Sequence, residues 1–158
     1  MNEQRIIILN KLIGLYQKLI LLFMKEQPLI IKMATAIKSY EGYFAPGENV
    51  RYPNGTRSWR TKNPGNLKYA GQYGTITMDQ NGFAIFNSYE AGWRALISQL
   101  TIAANGKSKI YNPEMNFYSF FEKYAPSRDN NNPIVYAEEV ARQMGVSPLM
   151  TLKQLIIS

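Results

Sequence analysis

Glu41 is the residue in this 158-residue chain whose position most suggests chemistry. It follows Ile30, Met33, Ala34 and Ile37 at steps of three and four, which places all five on one helix face. Gly42 comes next, where a helix is expected to stop. A carboxyl group is thus expected on the core-facing side of a helix, at its C-terminal end. Burial disfavours the charged form there, and so does the negative end of the helix dipole. Both raise the pKa toward what a general acid needs at neutral pH. The competing reading is a surface glutamate beside a helix-ending glycine.

Composition narrows the alternatives. The chain has no Cys and no His, which excludes thiol nucleophiles, Ser-His-Asp triads, His-bearing zinc sites and disulfides. Proton transfer, if there is any, falls to Asp, Glu, Tyr or Lys. The lack of Cys leaves the redox compartment open. At 46% hydrophobic, the chain suits one compact domain plus an appended element. Aromatics make up 13%, including 11 Tyr, enough to build a core or line a groove for sugars or bases. The formal charge of +7 favours a polyanionic partner: nucleic acid, anionic lipid or an acidic cell wall. Arg51, Arg57, Arg60, Lys62 and Lys68 form a modest basic group that reads equally as a solvated loop.

The elements that must position Glu41 can be read along the chain. Residues 3–26 form an apolar helix whose polar residues recur at about seven-residue intervals: Gln4/Arg5, Asn10/Lys11, Gln17/Lys18, Lys25/Glu26. Its two internal lysines argue against a simple membrane span, and no clear signal peptide is visible. Oligomerisation and membrane association are equally consistent with it. Pro28 opens the next helix, which runs to about Glu41. Residues 43–66 read as a long ordered loop. Short β signals follow at Leu67–Tyr69, Gly74–Met78 and Phe83–Phe86, with turn chemistry in Asp79-Gln80-Asn81-Gly82. They predict a small antiparallel hairpin or a three-stranded sheet. Ser88 caps a helix with Trp93, Leu96, Ile97, Leu100 and Ala104 on one face, ended by Asn105-Gly106. Phe117, Phe120, Phe121 and Tyr124 mark a short helix stopped by Pro126. Asn132-Pro133 starts another, with Ile134, Ala137, Ala141 and Met144 inward. Ser147-Pro148 starts a last one to about Ile156. The expected class is α+β, mainly helical with one small hairpin. The expected division is an N-terminal helix over 1–27 and a domain over 28–158.

The order of these segments resembles the lysozyme-like superfamily of peptidoglycan glycosidases, and within it the phage and bacterial lytic-transglycosylase-like endolysins. The residues that carry the resemblance are Ala36-Ile-Lys-Ser-Tyr-Glu-Gly-Tyr43, Asn63-Pro-Gly-Asn-Leu67, Gly82-Phe-Ala-Ile-Phe-Asn-Ser-Tyr-Glu-Ala-Gly-Trp93, and Tyr124-Ala-Pro-Ser-Arg-Asp-Asn-Asn-Asn132 with Tyr136. Flagellar-type glucosaminidases share the layout. The resemblance covers roughly residues 33–157 and leaves the first helix unexplained. It implies a cleft with Glu41 on its floor and the hairpin as one wall. It also implies that Glu41 is the catalytic acid/base, protonating the β-1,4 glycosidic oxygen between N-acetylmuramic acid and N-acetylglucosamine. No metal or cofactor is implied. The site of action would be the bacterial cell wall, periplasmic, extracellular or phage-delivered.

A second carboxylate decides the reaction type, because hydrolases flank the bond with two carboxyls about 5 to 9.5 Å apart. Asp79 is the best candidate, and it is also a natural turn residue. Glu48 and Glu90 are weaker: one lies in the loop, the other in the first turn of a helix. If Asp79 only shapes its turn, Glu41 acts alone, as in a lytic transglycosylase, where the sugar's own 6-hydroxyl attacks. Asn63 and Asn66 either form a tight turn or bond sugar hydroxyls and N-acetyl groups. Tyr69 and Tyr124 either stack on sugar faces or hydrogen-bond the reacting N-acetyl group, or else belong to the core and rim. Asn131 is the more available amide of its loop, since Asn132 suits a helix cap. Trp93 and Phe86 are expected in the core. Two other functions remain at this stage: a wall-glycan binder of the same fold that does not cut, and a basic nucleic-acid binder. The last lacks any recognition helix or Arg-Gly-aromatic pattern, so no nucleic-acid partner is expected.

Overall fold

The structure is a computed structural model that describes residues 3–26 and 28–156, with backbone alone for residues 20–26. Gln27, the expected boundary residue, lies outside the described residues. Over the described residues the chain is α+β and mostly helical, with one two-stranded antiparallel sheet. Helix α1 spans Glu3–Glu26, and its large apolar side chains from Ile6 to Leu19 are exposed.

Helix α2 (Leu29–Glu41) begins where Pro28 offers its carbonyl to the Ile31 and Lys32 amides, at 2.9 and 3.1 Å. It ends at Gly42, whose φ of +65° is the left-handed conformation glycine adopts without a Cβ clash. Ile30, Met33, Ala34 and Ile37 are buried, so the apolar stripe is the core face, as the spacing requires. The loop after α2 contains a four-residue helix, α3 (Arg57–Arg60), capped by Thr56. Too short to show a hydrophobic period, it escapes a pattern reading.

Strands β1 (Thr75–Met78) and β2 (Ala84–Phe86) pair antiparallel, with a bulge between Thr75 and Thr77. Residues 67–69 add only a bridge, Lys68 to Phe83, on the other edge of β2. Helix α4 (Tyr89–Ala104) is capped by Ser88, whose hydroxyl accepts from the Ala91 amide. It buries Leu96, Leu100 and Ala104, with Trp93 and Ile97 packed partly exposed against the core. Phe86 is fully buried. Helix α5 (Phe117–Tyr124) brings Phe117, Phe120 and Phe121 inward and stops before Pro126.

Two expectations need correction. In α6 (Pro133–Met144) the buried face is Pro133, Tyr136, Ala137, Val140, Ala141 and Met144, while Ile134 is 59% exposed. The helix is rotated so that Tyr136 points inward, its ring stacked between Tyr40 at 3.8 Å and Phe121 at 4.2 Å. A large ring with two flat partners outweighs one aliphatic side chain at the helix end. The last helix is only a 3-10 turn, Leu152–Leu155. The Leu152 and Lys153 amides are taken by the carbonyls of Met115 and Pro113, at 2.9 and 3.0 Å. Residues 147–150 close a turn instead, the Met150 amide on the Ser147 carbonyl at 3.0 Å, Thr151 bridges Asn116, and helix begins only beyond it.

Candidate active site

The C-terminal end of α2 delivers the Glu41 carboxyl to two donors from distant parts of the chain. Asn66 Nδ2 donates to Oε2 at 2.5 Å, and the Tyr136 hydroxyl donates to Oε1 at 2.8 Å. Each donor is placed by its own local structure. Asn63 to Asn66 form a turn closed by the Asn66 amide on the Asn63 carbonyl, 3.0 Å. Asn66 holds a φ of +46°, a conformation asparagine tolerates better than most residues. Tyr136 is fixed by its stacked neighbours.

Glu41 keeps some contact with solvent, yet its pKa is raised above the ordinary glutamate value. Burial is the largest cause. The Asn66 amide, the Tyr136 hydroxyl and the Arg57 guanidinium oppose it, and burial prevails. None of these groups is a carboxylate. The Tyr136 and Tyr124 hydroxyls are pushed well above the usual phenol range, first by burial and then by the charge on Glu41. They stay protonated as donors. Neither the Asn66 amide nitrogen nor Arg57 can accept a proton from Glu41. The arrangement is thus a partly accessible carboxyl with an elevated proton affinity, held in place on both oxygens.

The other expected site residues take varied positions. Tyr124 joins the cluster: its hydroxyl donates to the Gly65 carbonyl at 2.5 Å, and its ring meets Tyr136 edge-on at 6.2 Å. Asn63 is fully buried. Its Nδ2 donates to the Leu67 and Ala84 carbonyls, 2.9 and 3.0 Å, and its Oδ1 accepts from the Leu67 amide, 2.9 Å. It is a brace within the protein, reinforcing the backbone bond from the Ala84 amide to the Leu67 carbonyl, 2.9 Å, and pairing the Leu67 amide. Asp79 Oδ1 accepts from the Asn81 and Phe83 amides, both 2.9 Å, so its carboxylate shapes the hairpin turn. Tyr69 is 45% exposed at the hairpin's edge. Asn131 is exposed, and its side chain reaches the Pro126 carbonyl at 3.5 Å.

The sequence reading missed Tyr136 as a partner of the acid and Arg57 as its nearby cation. Arg57 lies over the Phe83 ring at 3.8 Å, and its buried Nε has no partner among the described residues. Asn66 Oδ1 is also buried without one. For Tyr136 a signal existed: Pro133, Tyr136, Val140 and Met144 recur at steps of three and four. Arg57 had none beyond its place in the basic group. Among the described residues no group of three or more acidic, His or Cys side chains could hold a metal ion. A separate groove of about 640 Å³ runs along the outer face of α4, between Tyr73 and Tyr111, and is lined by neither Glu41 nor Asn66.

Comparison with known proteins gives no match, whether among protein-family models, curated proteins or solved structures.

Proposed function

We propose that the chain is a lysozyme-like glycosidase that cuts peptidoglycan between N-acetylmuramic acid and N-acetylglucosamine, by lytic transglycosylation. One observation carries the reading: the Glu41 carboxyl, with a raised pKa, is held by Asn66 and Tyr136 where a helix-end acid/base is expected. Glu41 protonates the glycosidic oxygen as the anomeric C–O bond breaks. The resulting carboxylate then takes the proton of the sugar's 6-hydroxyl as that oxygen bonds to the anomeric carbon. The acid is regenerated, and no water is consumed. The Asn66 and Tyr136 donors stabilise the carboxylate in mid-cycle, and burial restores the acid afterwards. Engagement of Asp79 in its turn supports a single-acid route over the two-carboxyl hydrolytic one. The positive charge of the chain suits an anionic wall.

The test is incubation with purified peptidoglycan and mass spectrometry of the soluble products. Anhydro-muropeptides are expected, and none from Glu41→Gln. Reducing-end products would replace transglycosylation with hydrolysis. Tight wall binding without product would make the protein a binder, and full activity in Glu41→Gln would remove the acid/base role.

A further inference from the structure

The surface of helix α1 bears on what would cover it. Nine large apolar side chains between Ile6 and Leu19 are exposed, among them Tyr16 at 67% and Leu19 at 63%. Between Ile6 and Leu19, at about 100° per residue, the polar positions Asn10, Lys11, Gln17 and Lys18 span about 120° of the helix, leaving a mainly apolar arc of about 240°. Exposing that arc to water is costly, so it is built to be covered.

The width and charge of the surface select what covers it. A seam between two helices takes two of every seven positions, and its flanks pair opposite charges. In α1 five of every seven positions are apolar, far more than one seam uses. The charged residues between Glu3 and Glu26 are all cations: Arg5, Lys11, Lys18 and Lys25. The only acids of the helix, Glu3 and Glu26, stand at its two ends, so the middle of a second copy repels Lys11 and Lys18 and offers them no acid. Anionic lipid headgroups supply that counter-charge. Lys11 and Lys18 are exposed one heptad apart on the polar stripe, with Lys25 continuing the step in sequence. A spanning helix would place Lys11 and Lys18 in the hydrocarbon, whereas a helix lying flat keeps them at the headgroups.

We infer that α1 binds in the plane of an anionic membrane surface, its apolar arc in the acyl region and its lysine stripe at the headgroups. The inference stands independently of the proposed chemistry. It places the domain that begins at Pro28 on a tether at a bilayer.

The experiment is co-sedimentation of the full chain with vesicles of phosphatidylcholine alone or mixed with phosphatidylglycerol, alongside light scattering without lipid. Binding to the mixed vesicles at least about 10-fold tighter than to phosphatidylcholine is expected, weakening with salt. Leu12→Glu with Leu19→Glu should lower that binding at least about 10-fold, through the insertion term. Lys11→Glu with Lys18→Glu should abolish the preference for phosphatidylglycerol. Undiminished binding in the Leu12/Leu19 variant would overturn the inference. So would a defined soluble oligomer of the full chain that ignores both vesicles.

Discussion

Gly92→Ala tests how closely the fold around Glu41 is fitted. Gly92 lies in α4 against the backbone that leads into the Asn63–Asn66 turn. A Cβ there would fall 2.0 Å from the Lys62 carbonyl oxygen and 3.0 Å from Pro64 Cδ. Non-bonded atoms settle near 3.5 Å, so the loop must retreat by roughly 1 Å or more. In an unobstructed helix the same change would stabilise by about 1 kcal/mol. Overpacking costs about 1–3 kcal/mol, and a clash with backbone belongs at the upper end. The net loss is about 1–2 kcal/mol, or roughly 2–8 °C in melting temperature at this chain length. The same retreat carries Asn66 out of hydrogen-bond range of Glu41, and a misplacement near 1 Å costs about 100-fold in rate. Calorimetry reads the first effect and muropeptide release the second. Gly14→Ala is the control, because a Cβ at Gly14 meets nothing within 4 Å. It should leave stability unchanged or slightly improved. A Gly92→Ala protein that melts at or above the parent temperature would refute the argument.

Glu41→Gln should be more heat-stable than the parent at neutral pH. The folded pKa of Glu41 lies above its unfolded value, so ionisation opposes folding as pH rises through that interval. Melting temperatures against pH should converge below about pH 4, where the carboxyl is protonated in both states. Tyr136→Phe keeps the ring stack and removes one donor to the carboxylate. It should raise the Glu41 pKa further, move the basic limb of the activity profile to higher pH, and lower the rate about 10-fold. An unmoved limb would separate Tyr136 from the acid. Asp79→Asn retains an acceptor for the Asn81 and Phe83 amides, so fold and turnover should both persist. A loss of about 1,000-fold with intact circular dichroism would make Asp79 a second catalytic carboxyl.

Much of the fold is legible in the sequence because its signals are local. Gly42, Ser88, Asn132 and Gly145 each mark a helix end within a few residues of the pattern they close. The placement of Glu41 follows from five residues of one helix. Its partners do not, because Tyr136 lies 95 residues away and Asn66 lies 25 away. Those contacts depend on helix rotation and on the path of an irregular loop, which no short-range period encodes. Asn63 and Asn66 show the limit well. Both are amides of one tetrapeptide, yet one is sealed inside and the other faces the acid.

That sealed amide has a mechanical consequence. By gripping Leu67 and Ala84 together, Asn63 clasps the loop bearing Asn66 to strand β2. Fraying of the hairpin therefore slackens one of the two holds on Glu41, and a ligand that stiffens the hairpin tightens it. The sheet is small, but it acts as the latch on the acid's local environment, and exchange of the Leu67 amide with deuterium reports whether the latch is closed.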